Sequence, residues 1–205
     1  MDDVNGATLD SYEQHVAEYV GGTTATVSGG VRDWIDAALE GLPASARLVE
    51  IGSAFGRDAA YIQGKGYRIE TTDAAEAFVA ELRRRGFPAR VFDLRRDRLE
   101  AGQDLILANA VLHHFPRAQL GAILAELAGA LAPGGRLAFS LKRGAGEEWS
   151  SAKLGAPRFF CYWEPEQLEP LLAAAGFSDW DIVEADTGRA HAAWLYLIAR
   201  RAATP

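Results

Sequence analysis

The run Leu48-Val49-Glu50-Ile51-Gly52-Ser53-Ala54-Phe55-Gly56-Arg57-Asp58 has the make-up of a ligand site. An apolar strand leads into an acid, then a turn of small residues, then a helix start. Small side chains let the backbone approach a ligand closely, and a helix N-terminus favours negative groups. At the carboxyl edge of a first strand, this pattern suits a nucleotide-like ligand. Two ligands compete for it. A dinucleotide fingerprint needs G-x-G-x-x-G. Here Gly52, Ala54 and Gly56 repeat every second residue, and Arg57 holds the place of the third glycine. Glu50 would repel a pyrophosphate and suits a cationic ligand carrying an ammonium or sulfonium group.

Further acids stand at strand ends. Asp73, followed by Ala74, is where a carboxylate accepts both hydroxyls of a ribose. In Phe92-Asp93-Leu94, Asp93 can receive an adenine amino group while the Leu94 backbone meets a ring nitrogen. The structural alternatives are a helix N-cap for Asp73, a loop cap for Asp93 and a surface position for Arg57. His113 and His114 follow the fourth strand, at the edge where ligands bind, and histidine titrates closest to neutral pH. Either is a candidate base. Tyr12 and Tyr19 are seven apart and share a helix face. In Arg158-Phe159-Phe160-Cys161-Tyr162-Trp163, four aromatics in six residues could stack on a flat substrate. Arg158, Phe160, Tyr162 and Trp163 are the candidates there, with Trp149 and Trp194 secondary. Cys161 has no base beside it in sequence and is not expected to act as a nucleophile.

The elements that must position these residues alternate between strand and helix, the signature of an α/β fold with a mainly parallel sheet. Helices are expected over 8–20, 31–42, 57–64, 75–85, 117–132 and 164–175. Strands are expected over 47–51, 67–72, 89–92, 104–109 and 136–141. Residues 144–157 read as a polar connection. Strands over 178–184 and 192–200, with no helix between them, read as an antiparallel hairpin.

The chain has 205 residues, so one domain is expected. Its net charge of −7 argues against sequence-independent binding of nucleic acid, which needs positive surface. A single cysteine excludes a disulfide framework or a thiolate metal site within one chain. The segment Met1–Gly6 lacks the features of a secretory signal, and no apolar run approaches a bilayer span. A soluble cytoplasmic protein is the expectation.

Taken in order, these segments resemble the motifs of class I S-adenosylmethionine-dependent methyltransferases. The resemblance rests on Glu50-x-Gly52-x-Ala54-x-Gly56, Asp73, Asp93 and 104–109. It continues through Leu112-His113-His114-Phe115-Pro116, Leu131-Ala132-Pro133-Gly134-Gly135-Arg136 and Ala174-Ala175-Gly176-Phe177. It covers nearly the whole chain. Ala54 departs from the family's usual glycine. The resemblance implies a Rossmann-like seven-stranded, mostly parallel sheet with an antiparallel last strand and helices on both faces. It implies S-adenosylmethionine as cofactor and S-adenosylhomocysteine as product. Glu50 and Gly52 would lie by the methionine end, Arg57 would reach its carboxylate, and Asn109 would line the methionine portion. The resemblance also marks residues 1–42 as a helical lid, with Tyr12 and Tyr19 in its entry helix, over a core of 44–205. It makes 144–165 the acceptor segment.

The acceptor expected is a small, aromatic molecule such as a natural-product intermediate, methylated on O, N or C, an indole carbon included. His113 or His114 would be the base, and Tyr19 or Tyr162 could orient an N–H. Catechol-type members hold a divalent metal with acids near the fourth strand, but no Asp or Glu lies among residues 105–124, so no metal is expected. No nucleic acid or membrane partner is expected, and the chain would act as a monomer or homodimer. The alternative is a non-catalytic cofactor-binding scaffold or partner subunit.

Overall fold

The computed structural model describes residues 4–186 and 193–203. His191 and the tip of the expected hairpin lie outside the described residues. Three helices come first: α1 (Val4–Gln14), α2 (Val16–Gly21) and α3 (Gly29–Leu39). Strand and helix then alternate through β1 (Leu48–Ile51), α4 (Arg57–Gly64), β2 (Ile69–Asp73), α5 (Glu76–Arg84), β3 (Ala89–Val91) and β4 (Gln103–Ala108). A single 3-10 turn at Leu112–His114 precedes α6 (Arg117–Ala130) and β5 (Leu131–Arg143). The chain closes with β6 (Glu147–Ser150), β7 (Arg158–Trp163), α7 (Pro165–Ala174), β8 (Phe177–Asp186) and β9 (Ala193–Arg201).

Strands β3-β2-β1-β4-β5 are parallel neighbours. β9 is antiparallel to both β5 and β8. These seven strands are the expected sheet. Its centre is apolar on both faces because helices cover both. In β4, Ile106 and Ala108 pack into one core with α6 and α7, whereas Leu105 and Leu107 pack into the other with Trp34 and Ile35 of α3.

Two parts depart from the expectation. The stretch 144–157 is not a plain connection, since it carries β6, which forms a hairpin with β7. Lys142 pairs with Trp194 of β9 and with Tyr162 of β7, so the two strands flank opposite edges of β5. β7 therefore continues on the side that β4 leaves when it ends at Ala108, above the carboxyl edge of the sheet. The expected first helix is instead two, broken at His15. α1 has no apolar stripe. Its buried residues are Asn5, Thr8 and Ser11, three apart. The Asn5 amide donates to the His114 carbonyl (2.8 Å), Thr8 Oγ1 accepts from the Phe159 N–H (3.0 Å) and Ser11 Oγ donates to the Pro157 carbonyl (2.6 Å). Hydrogen bonds rather than a greasy face dock this helix, and a period of three is still helical spacing.

Candidate active site

The turn after β1 needs its glycines for two physical reasons. Gly52 has φ +69°, and a Cβ built on it would stand 2.4 Å from Val111 Cγ2. Gly56 has φ +83° as the N-cap of α4, and its Cβ would meet the Phe87 ring at 2.5 Å. Ala54 adopts φ +48°, costly for a residue with a side chain. Asp73 holds it there: Oδ2 accepts the Ala54 N–H and Oδ1 accepts the Ala75 N–H, each at 2.9 Å. Asp73 thus acts as a clamp between β2 and the turn, and each oxygen retains capacity for a second hydrogen bond. Burial lifts its carboxyl to about 6, against the pull of those N–H donors.

Glu50 is buried at the end of β1, and its Oε2 has no partner. Burial, with the charge of Asp58 next, raises its carboxyl to about 8. A buried carboxylate oxygen without a donor is an incomplete site, since such groups are normally paired. Beside it runs a polar chain. Arg57 Nε donates to Asp58 Oδ1 (2.7 Å), Asn109 Nδ2 donates to Asp58 Oδ2 (2.6 Å), and Ser140 Oγ donates to Asn109 Oδ1 (2.7 Å). Asn109 is therefore held in one orientation by α4 and β5. Asp93 is gripped by Arg95 through several short bonds, which hold its carboxyl below the usual range despite partial burial.

His114 and Tyr12 join the first helix to the sheet edge. His114 Nδ1–H donates to the Phe159 carbonyl (2.6 Å), which leaves Nε2 as the acceptor. The Tyr12 hydroxyl donates to that Nε2 (2.8 Å) and accepts from Arg158 (3.1 Å). His113 Nε2 lies 3.2 Å from the same nitrogen. The lone pair of His114 Nε2 is taken by the Tyr12 hydroxyl, and His113 Nδ1 is buried and without a partner. Burial pushes His114 down to about 3 and His113 well below its ordinary value. Both rings are neutral at pH 7.

Two adjoining hollows gather most of the residues singled out in the sequence. The first is lined by Asp73, Ala74, Phe78, Asp93, Leu94 and His114. The second, about 550 Å³, is lined by Glu50, Arg57, His113, Arg158 and Phe160. Tyr12, Tyr19, Gly52, Ala54 and Asn109 border both. Gly56 shapes the turn without lining either. Two aromatic candidates are elsewhere. Strand alternation turns Trp163 into the core, under the Arg117 guanidinium at 4.1 Å. Tyr162 shares a strand face with Phe160 but lies beyond the hollow, its hydroxyl donating to Glu148 at 2.5 Å. Trp194, Tyr196, Lys142 and Lys153 line the second hollow instead. Lys142 and Lys153 carried no motif to mark them. Cys161 is fully buried, and burial raises its thiol to about 11, so it is not a nucleophile. Among the described residues, no three of His, Cys, Asp and Glu cluster as metal ligands.

A glycine cradle, a carboxylate clamp at the second strand and an unpaired buried acid fit S-adenosylmethionine, and this fold and site define a class I methyltransferase. A methyltransferase-domain family model matches residues 24–182, and the chain belongs to that family. No curated protein sequence matches the chain. Among solved structures, 1,6-didemethyltoxoflavin-N1-methyltransferase of Burkholderia thailandensis, with 1,6-didemethyltoxoflavin and S-adenosylhomocysteine bound, is 26% identical with a TM-score of 0.66. The match covers 83% of this chain and 76% of that one. Magnesium protoporphyrin IX methyltransferase of Synechocystis PCC 6803, with S-adenosylmethionine bound, is 18% identical over 98% and 85% of the two chains, TM-score 0.64. A Haemonchus contortus phosphoethanolamine N-methyltransferase is 12% identical over 100% of this chain and 61% of that one, TM-score 0.75. The last two share the fold alone. The protein is an S-adenosylmethionine-dependent methyltransferase.

Proposed function

We propose that the chain methylates a small aromatic acceptor, of the kind made in natural-product assembly, bound in the second hollow against Phe160 and Trp194. The observation that carries this reading is the junction of two hollows at Gly52, Asn109 and the two tyrosines. One hollow has the acids suited to an adenosine. The other has aromatic walls and the neutral ring of His113. That the Burkholderia thailandensis relative is named for a small-molecule acceptor supports the same class.

In this reading Asp73 accepts the ribose hydroxyls, Asp93 and the Leu94 backbone meet the adenine, and Glu50 faces the ammonium of the methionine end. Gly52, Ala54, Gly56 and Ala74 give the backbone its close approach, and Asn109 borders the sulfur. Arg57, already paired with Asp58, contributes charge near the methionine carboxylate. S-adenosylmethionine supplies a methyl on a cationic sulfur. An acceptor electron pair forms the new bond as the carbon–sulfur bond breaks, and that bond's electrons return to sulfur. The protein's part is chiefly to align the reactants and exclude water. Where the acceptor must lose a proton, the neutral His113 ring takes it. His114, with both nitrogens engaged, positions Tyr12 and His113 rather than reacting. Tyr12 and Tyr19, in a lid formed by α1 and α2, close the space over both ligands.

The protein would work in the cytoplasm as a monomer or homodimer, on a small molecule rather than a nucleic acid or membrane. No helix among the described residues is long and apolar enough to cross a membrane. The scaffold alternative explains the first hollow and leaves the second without a use. The test is a screen of small acceptors with methyl-labelled S-adenosylmethionine, read by mass spectrometry. Label transfer to an aromatic compound supports the proposal. S-adenosylhomocysteine binding with no transfer to any acceptor would favour the scaffold.

A further inference from the structure

Three cations line the acceptor half of the second hollow: Lys142, Lys153 and Arg158. The acids lining this hollow are Glu50 and Asp58, both at its methionine end, and Asp58 is occupied by Arg57 and Asn109. Among the described residues, none of the three cations forms an ion pair. Glu148 is the acid nearest Lys142 in effect, and it accepts the Tyr162 hydroxyl.

Arg158 is only 6% exposed, and its Nε is buried without an acceptor. Its one bond here is from Nη1 to the Tyr12 hydroxyl. The guanidinium lies 5.0 Å from the Phe160 centroid, and Lys142 Nζ lies 3.9 Å from the same centroid. Lys153 Nζ stands 3.8 Å from the Tyr19 ring and donates to Thr23 Oγ1 at 2.7 Å. Aromatic faces offset part of the cost of removing these charges from water, but a buried cation is normally completed by an anion. Burial and the neighbouring Arg158 lower both lysines, Lys153 to about 8. Arg158 thus acts on both lysines, and none of the three is paired with a carboxylate.

We infer that the acceptor carries an oxyanion, a carboxylate or phosphate, seated against Arg158 and Lys142 with Lys153 at the rim. This rests on the methyltransferase reading of the same hollow and narrows its substrate to acidic aromatics. The arrangement has a chemical logic. The methyl donor brings a positive sulfur into a hollow that holds three cations without an ion pair, besides Arg57 paired with Asp58, and an anionic acceptor compensates that charge as the two ligands assemble. The oxyanion is a binding handle, so the atom that receives the methyl remains a separate choice.

The experiment uses the full chain saturated with S-adenosylhomocysteine, with matched probes titrated by calorimetry: salicylate against salicylamide, and phenyl phosphate against phenol. At least one anion should bind tenfold or more tighter than its neutral partner, and added salt should shrink the gap. Which pair shows the gap tells carboxylate from phosphate. Lys142→Met and Arg158→Gln should each erase most of the preference, Arg158→Lys should retain part of it, and affinity for S-adenosylhomocysteine should stay within twofold throughout. No preference in either pair, or no binding by either anion, overturns the inference. So does a matching loss of S-adenosylhomocysteine affinity in both variants, which would assign the cations to the methionine carboxylate. Failure of the unmodified protein to bind S-adenosylhomocysteine would instead overturn the underlying methyltransferase reading of the hollows.

Discussion

Cofactor binding should expel a proton from Glu50. This side chain is 2% exposed, its Oε2 has no partner, and burial beside Asp58 lifts it to about 8. At pH 7 such an acid is mostly protonated in the free protein. An ammonium brought beside it favours the ionised form, so the proton leaves as the ligand arrives. Calorimetric titration with S-adenosylhomocysteine at pH 7, in buffers of low and high ionisation enthalpy, should return a net proton release of up to about one per ligand. Below pH 8 the affinity should rise by up to about tenfold per pH unit, and above it level off. Glu50→Gln has no proton to release, so its binding heat should be independent of buffer and its affinity lower.

Stability carries the same signature. Folded Glu50 holds its proton more tightly than unfolded Glu50, so its contribution is full at acid pH. It is lost as pH climbs from the ordinary carboxylate range to about 8, where the folded form finally ionises. Glu50→Gln should flatten that slope in denaturant titrations of the unliganded protein. Zero buffer dependence in the unmodified protein would refute the reasoning. An undiminished proton release in Glu50→Gln would move the event to another group, such as Asp73.

Asp73→Asn removes the charge proposed to face the ribose, and loss of a charge-assisted bond costs about 1.5–3 kcal/mol, so S-adenosylhomocysteine should bind roughly tenfold or more weaker by calorimetry. His113→Asn should slow single-turnover transfer to an acceptor that loses a proton by about 10²–10⁴-fold while cofactor affinity holds. Because burial keeps His113 below its ordinary range, the unmodified enzyme should show no acidic limb near pH 6.5, and a limb there would remove His113 as the proton acceptor. His114→Asn should act on stability, since the Phe159 carbonyl and Tyr12 hydroxyl lose their common partner. A cost of about 1–3 kcal/mol, at about 2–4 °C of melting temperature each, is readable by calorimetry. Gly52→Ala forces a Cβ to 2.4 Å from Val111 Cγ2 at φ +69° and should weaken cofactor binding, with partial recovery when Val111→Ala is added.

The strand–turn–helix units, the glycine turn and the acids at the strand ends were legible in the sequence because each is a local pattern. Gly52, Asp73 and Asp93 stand where chain direction changes, and apolar runs such as 105–108 report burial without any knowledge of their neighbours. Partners are a different matter, because they depend on which strands pair. The aromatic segment 158–163 gave its composition but not its strand, so alternation could not sort Phe160 into the hollow and Trp163 into the core. Lys142 meets Trp194 only because β9 runs antiparallel along β5. Helix α1 carries no apolar stripe to read, since its buried side is completed by the backbone of a strand some 151 residues away. The two histidines look alike in sequence. A carbonyl 45 residues on, at Phe159, fixes the tautomer of one, and the other keeps a buried nitrogen without a partner. Periodicity fixes which side of an element is buried, whereas sheet order, set by non-local pairing, decides what that side touches.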